Sequence, residues 1–215
     1  MPKILLITRP QGDLGLKYLE HWSEKIIDAA KNKGALVLDL KHKRAARKEL
    51  ESVIRKKSPH IIIFNGHGDY DLLTGQFQEP LVIATENVQI LAGSIVYAVS
   101  CRSAKILGEQ AVLKSAKAYI GYKENFIFHY NESSVYKPLL DEKAKLFLEP
   151  SNQVAISLLK GRTAQESFVS SQKFWIRNLQ KLLVKQYEPG NTALISSVYH
   201  NFKHQVCLGN GNAVM

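Results

Sequence analysis

His60-Ile61-Ile62-Ile63-Phe64-Asn65-Gly66-His67-Gly68 is the stretch on which the reading of this chain turns. Ile61 to Phe64 are apolar at every position. A strand with one wet face alternates apolar and polar residues. A strand apolar throughout is covered on both faces, as in a parallel sheet sandwiched between helices. Pro59 stops the preceding helix, because proline lacks the amide proton that a helix needs. A second run of the same kind, Ser94-Ile95-Val96-Tyr97-Ala98-Val99-Ser100, leads into Cys101-Arg102-Ser103.

Working outward, Lys3 to Thr8, Ala35 to Leu40 and Ala118 to Tyr122 are further buried strands. Between them lie amphipathic helices. Leu16, Leu19, Trp22, Ile26, Ile27 and Ala30 recur at helical spacing, and Gly34 ends that helix. Ala46, Leu50, Val53 and Ile54 line one face of a basic helix, and another helix is expected near Ala104 to Leu113. Strands alternating with helices give an α/β fold: three layers, doubly wound, with a mostly parallel sheet. The segment Gly66 to Leu91 is long for a connection, and Leu81-Val82-Ile83 marks a small extra strand or hairpin within it.

The last third is helical. A helix over Ser151 to Lys160 is closed by Gly161. Thr163-Ala164-Gln165-Glu166 is a capping box opening a long helix, with Phe168, Ser171, Trp175, Leu179 and Leu182 on one face. Glu188-Pro189-Gly190 turns the chain. Ala193 to His204 follows as a helix, and Gln205 to Leu208 as a closing strand. With no linker, repeat or low-complexity segment in view, one domain over 1–215 is expected.

Composition narrows the function. Two cysteines exclude a disulfide framework and a four-cysteine zinc site, and they fit a reducing compartment. No apolar run approaches the ~20 residues of a membrane span, and Met1 to Thr8 is too short for a secretory signal. The expectation is a cytoplasmic protein with no membrane partner. The net charge is +10, and half of it lies between Ala35 and His60. That segment reads as a solvated helix face, since no aromatic residue is interleaved for base stacking. Nucleic acid is therefore not the expected partner. Gly66-His67-Gly68 lacks the third glycine of a dinucleotide site, and there is no phosphate loop, so no cofactor is called for. His200 and His204 are four apart but lack a third ligand, so no metal is called for.

Sites in open parallel sheets gather beyond the carboxyl ends of the strands. His67 and Cys101 both stand there. If their strands are neighbours, the two side chains emerge about one strand spacing (~5 Å) apart. A thiol attacks a carbonyl well only with a base, or with a cationic partner that lowers its pKa. The imidazole supplies either. A thiol at a strand-to-helix junction is also expected to feel the positive end of the next helix, which favours thiolate.

These segments resemble the caspase-like cysteine peptidases, a group that includes caspases, legumain, gingipains and the CHAT-type peptidases. The resemblance lies in strand–His67–Gly68, a loop, and strand–Ser100–Cys101. Ser103-Ala104, Gly108-Glu109 and Ala116 to Tyr122 are most similar to the gingipain and CHAT branch. It covers about residues 1 to 125 in element order. The caspase pattern Gln-Ala-Cys-Arg-Gly is absent, and Cys101 follows His67 by 34 residues, less than the ~50 of caspases.

What the resemblance implies is a Cys–His dyad with no essential third member. Cys101 would be the nucleophile, His67 the acid/base, and the amides of Gly68 and Cys101 the oxyanion hole. The activity implied is that of a cysteine endopeptidase acting on protein or peptide substrates. Members of this group are often held latent by a partner protein, a cleavage event or a bound ligand, so the resemblance allows a regulatory partner protein without singling it out. Charged residues near the strand ends would select the residue before the cut. Arg9, Asp13, Asp69, Asp71 and Arg102 are the candidates, and Asp69 or Asp13 as substrate-binding acids point to a basic residue. Two other readings compete: an inactive interaction module of the same fold, and a basic nucleic-acid-binding α/β protein.

Overall fold

A computed structural model describes residues 2–215. Its elements run β1 (Ile4–Arg9), α1 (Leu14–Asn32), β2 (Leu36–Lys41), α2 (Arg47–Lys57), β3 (Ile61–Asn65), three short strands β4 (Gly68–Asp69), β5 (Leu72–Thr74) and β6 (Pro80–Ile83), then β7 (Ile95–Val99), α3 (Leu107–Leu113) and β8 (Ala118–Tyr122). α4 (Glu142–Leu159), α5 (Ala164–Val184), α6 (Asn191–His204) and β9 (Gln205–Gly209) complete the chain.

The main sheet has the order β2-β1-β3-β7-β8-β9. All neighbours are parallel except β8 and β9, so the sheet is mixed at one edge. The apolar strands are filled on both sides, as their composition requires. Leu5, Ile7, Ile61, Ile63, Ile95 and Tyr97 face α1 and α4. Their neighbours Leu6, Ile62, Phe64, Val96 and Ala98 face α2, α3 and the small sheet. α5 and α6 then pack on α4 through Trp175, Leu182, Val198 and Phe147.

The long segment after β3 is a three-stranded antiparallel sheet, β4-β5-β6, where a small strand or hairpin was expected. The capping box forms in full. The Glu166 amide donates to Thr163 Oγ1 (3.1 Å), and the Thr163 amide donates to Glu166 Oε2 (2.9 Å). On the basic helix, Leu50 and Ile54 are buried, while Lys48, Arg55, Lys56 and Lys57 are exposed.

Two helices differ from the sequence reading. The helix expected to begin at Ser151 begins at Glu142 and runs through Pro150. Proline leaves the carbonyl four residues back without its helical donor. That carbonyl belongs to Leu146, and Asn178 Nδ2 on α5 donates to it (2.8 Å). The helix expected from Ala104 begins only at Leu107. Residues 102 to 104 run beside the end of β8 instead: the Arg102 amide donates to Glu124 O (3.1 Å) and the Ala104 amide to Tyr122 O (3.1 Å).

Candidate active site

β3 and β7 are parallel neighbours, and their last registered pair is Asn65 with Val99. The Gly66 amide still reaches Val99 O (3.5 Å) beyond that pair. Two residues further on each strand stand His67 and Cys101. Both line one open cleft of about 570 Å³.

The backbone around His67 is held tightly. Asn65 is buried and ties β3 to β1: its Nδ2 donates to Thr8 O (3.1 Å). A Cβ on Gly66 would meet Thr74 O at 2.6 Å. A Cβ on Gly68 would meet Cys101 O at 3.0 Å and Leu72 O at 3.1 Å. Glycine at both positions lets the loop press against β5 and the Cys101 backbone. The His67 carbonyl accepts from the Thr74 amide (3.0 Å) and hydroxyl (3.2 Å).

The His67 ring meets Asp13 at the start of α1. Its Nε2 is 2.6 Å from Asp13 Oδ2. An ionised carboxylate only accepts, so Nε2 carries the proton and Nδ1 is the nitrogen left for chemistry. The other oxygen, Oδ1, accepts from the Leu16 amide (2.9 Å) and caps α1. Burial works against ionising Asp13, but the Leu16 amide and His67 outweigh it and hold the carboxyl below the usual carboxylate range. The acid read as a substrate contact is thus engaged twice over by the protein itself.

The helix expected to favour thiolate at Cys101 does not follow it directly. α3 starts six residues later and has only seven residues, whereas a helix end acts within about one turn. Burial instead pushes the Cys101 thiol above its ordinary value, against the pull of the Arg102 charge. The sulfur lies 4.0 Å from Phe126 O.

The remaining charged candidates are dispersed. Arg9 is buried in an ion pair with Asp39 and lies 3.7 Å from Glu24, so it braces the sheet edge. Arg102 takes a left-handed backbone (φ 56°) and lines the cleft. Its guanidinium lies 4.7 Å from the Tyr70 ring centroid, and its Nε is 3.5 Å from Asp69 Oδ1, long for a hydrogen bond. Asp69 does not line the cleft. Cys207 sits in β9, and burial raises its thiol to about 11. Among the described residues no three His, Cys, Asp or Glu side chains converge as metal ligands. His200 donates to Asn125 O (2.9 Å).

One wall of the cleft escaped the sequence reading. Residues 125–128 and 130 line it, with the Phe126 and Phe128 ring centroids 6.1 Å apart. The buried Asn201 on α6 accepts from the Ile127 amide (3.0 Å), and its Nδ2 donates to Ile127 O. Ile127 thus turns its backbone to α6, and the Phe126 carbonyl faces the sulfur. The period-two aromatics Phe126, Phe128 and Tyr130 were the available signal.

No family model matches this sequence, and no curated protein does. Solved structures share its fold. The Arg-specific cysteine proteinase gingipain R superposes with a TM-score of 0.62 at 10% identity, over 99% of this chain and 47% of that one. The complex of Porphyromonas gingivalis RgpB pro- and mature domains gives 0.63 at 10% identity, over 99% and 48%. A structure described only as a protease gives 0.52 at 14%, over 99% and 48%. The chain spans about half the length of each of these structures.

Proposed function

We propose that residues 1–215 act as a single cysteine endopeptidase domain with Cys101 as nucleophile and His67 as acid/base. One observation carries this: β3 and β7 are parallel neighbours, His67 and Cys101 each stand two residues beyond their last registered pair, and both residues line one cleft. A thiol needs a base, and His67 Nδ1 takes the Cys101 proton as Sγ attacks the scissile carbonyl. The C–N bond then breaks, the imidazolium protonates the leaving amine, and water hydrolyses the thioester with His67 again as base. Backbone amides of Gly68 and Cys101 receive the developing oxyanion, each worth about 3 kcal/mol in such sites. Asp13 positions the imidazole and fixes its tautomer, a third member beyond the dyad.

Phe126 and Phe128 present backbone groups along which an extended substrate can pair. With Asp13 occupied, Asp69 and Asp71 are the acids left, and Asp69, outside the cleft lining but 3.5 Å from the cleft residue Arg102, is the one we assign to a basic residue before the cut. Substrates are proteins or peptides, and a regulatory protein partner belongs to the same reading.

An internally quenched peptide library, randomised at the residue before the cut, tests it. Cys101→Ala abolishes hydrolysis, a loss of at least about a thousandfold, and leaves the fold intact. Equal turnover by wild type and variant contradicts the proposal. A non-catalytic module of the same fold is the second reading, favoured by the raised thiol. It gains if folded wild-type protein cleaves nothing in the library.

A further inference from the structure

A cavity larger than the cleft lies on the other side of His67 from Cys101. It has a volume of about 940 Å³, within the range of ligand sites, and His67 lines both spaces. Its walls come from the ends of β1, β2 and β3 and from the loop after β5. The sheet order explains the crevice. The chain runs from β1 outward to β2, then returns to place β3 on the opposite flank of β1. Connections leaving in opposite directions open a gap at the strand ends, the usual position of sites in such sheets.

The crevice is built rather than incidental. Gln76 is buried and locks one wall to the other: the Gln11 amide donates to its Oε1 (2.9 Å), and its Nε2 donates to Gln11 O (2.8 Å). Three of its residues hold left-handed backbones without being glycine: His42 (φ 52°), Phe77 (φ 57°) and Gln78 (φ 59°). Such conformations persist only where the surroundings impose them. Phe77 stands 81% exposed at the rim.

Lysines outnumber carboxylates in its lining, two to one. Asp13 is the one carboxylate among its lining residues, and it is engaged by His67 and the α1 cap. Lys41 pairs with Glu20 (2.9 Å), while Lys43 is exposed and has no acidic partner among the described residues.

We infer that this crevice binds the part of a polypeptide substrate that follows the scissile bond, and that it selects acidic residues there. The inference rests on the peptidase reading for its direction. His67 gives its proton to the leaving amine, so the chain beyond that nitrogen starts at His67. It continues away from the sulfur, into the space lined by Lys43 and Phe77.

Equilibrium binding to the Cys101→Ala protein separates this from catalysis. The probes are fluorescein-labelled decapeptide mixtures with a randomised central residue. One carries Gly-Asp-Glu-Asp after that position, one Gly-Lys-Arg-Lys after it, and one the acidic run before it. At low ionic strength the first mixture binds about fivefold tighter than either of the others, the scale of exposed charge pairs. Lys43→Glu, with Lys43→Gln as the milder variant, shrinks or reverses that ratio. Equal binding of the two acidic mixtures overturns the inference, because it reports only attraction to a net charge of +10. No binding, or a ratio unmoved by both variants, overturns it as well. Failure of wild-type hydrolysis with the acidic preference intact would sink the peptidase reading and spare the acidic site.

Discussion

Asp13 joins two tasks in one carboxylate, capping α1 through Oδ1 and holding His67 through Oδ2. Substitution can separate them. Asparagine caps helices about as well as aspartate, so Asp13→Asn keeps the cap while removing the charge beside the imidazole. The expected result is a fall in kcat of about tenfold to a hundredfold, by analogy with other partners that orient a functional side chain, with little change in melting temperature. Asp13→Ala loses both tasks, and thermal unfolding registers about 1 kcal/mol in addition. The pH dependence has a definite sign. A carboxyl held below its usual range stays charged at and above about pH 4, so its support of His67 disappears only on further acidification. If Asp13→Asn matches wild type across pH, the carboxylate does not position the base. At this scale the sequence made His67 and Cys101 visible, because each follows an apolar strand. It did not show what Asp13 does: a hydrogen bond to a residue 54 positions away leaves no local pattern.

Among the elements, α4 is where local rules and tertiary structure disagree. Pro150 reads as a stop, yet the helix passes through it because Asn178 on α5 supplies the donor that proline lacks. The account predicts coupling between the two residues. Asn178→Ala alone leaves the Leu146 carbonyl short of a donor and costs about 1–2 kcal/mol in denaturant unfolding. In a Pro150→Ala background the helix supplies its own amide, and the same substitution costs less by about 1 kcal/mol. Strict additivity would show that the Asn178 contact does not stand in for the amide missing at Pro150. The capping box of α5 was legible because all its parts lie within four residues. The start of α3 was not, because its first expected turn is taken over by hydrogen bonds to the end of β8.

For the whole molecule, the layered architecture follows from strands apolar on both faces, and that much was plain from β1, β3 and β7 alone. The order of strands was not. Nothing within Gln205 to Gly209 announces that β9 runs antiparallel at the edge beside β8. The pairing of β3 with β7 is likewise a fact of topology, and the proposed chemistry depends on it. The similar structures share the fold at about 10% identity, so activity has to be established on this chain's own side chains. Covalent trapping does so most directly. Peptidyl acyloxymethyl ketones with a randomised terminal residue are incubated with the protein, and the adduct is located by mass spectrometry of its fragments. The account predicts one label, on Cys101, with labelling slowed by His67→Ala and Cys207 left unmodified. Equal labelling of both cysteines, or labelling of Cys101 that is indifferent to His67, would contradict it.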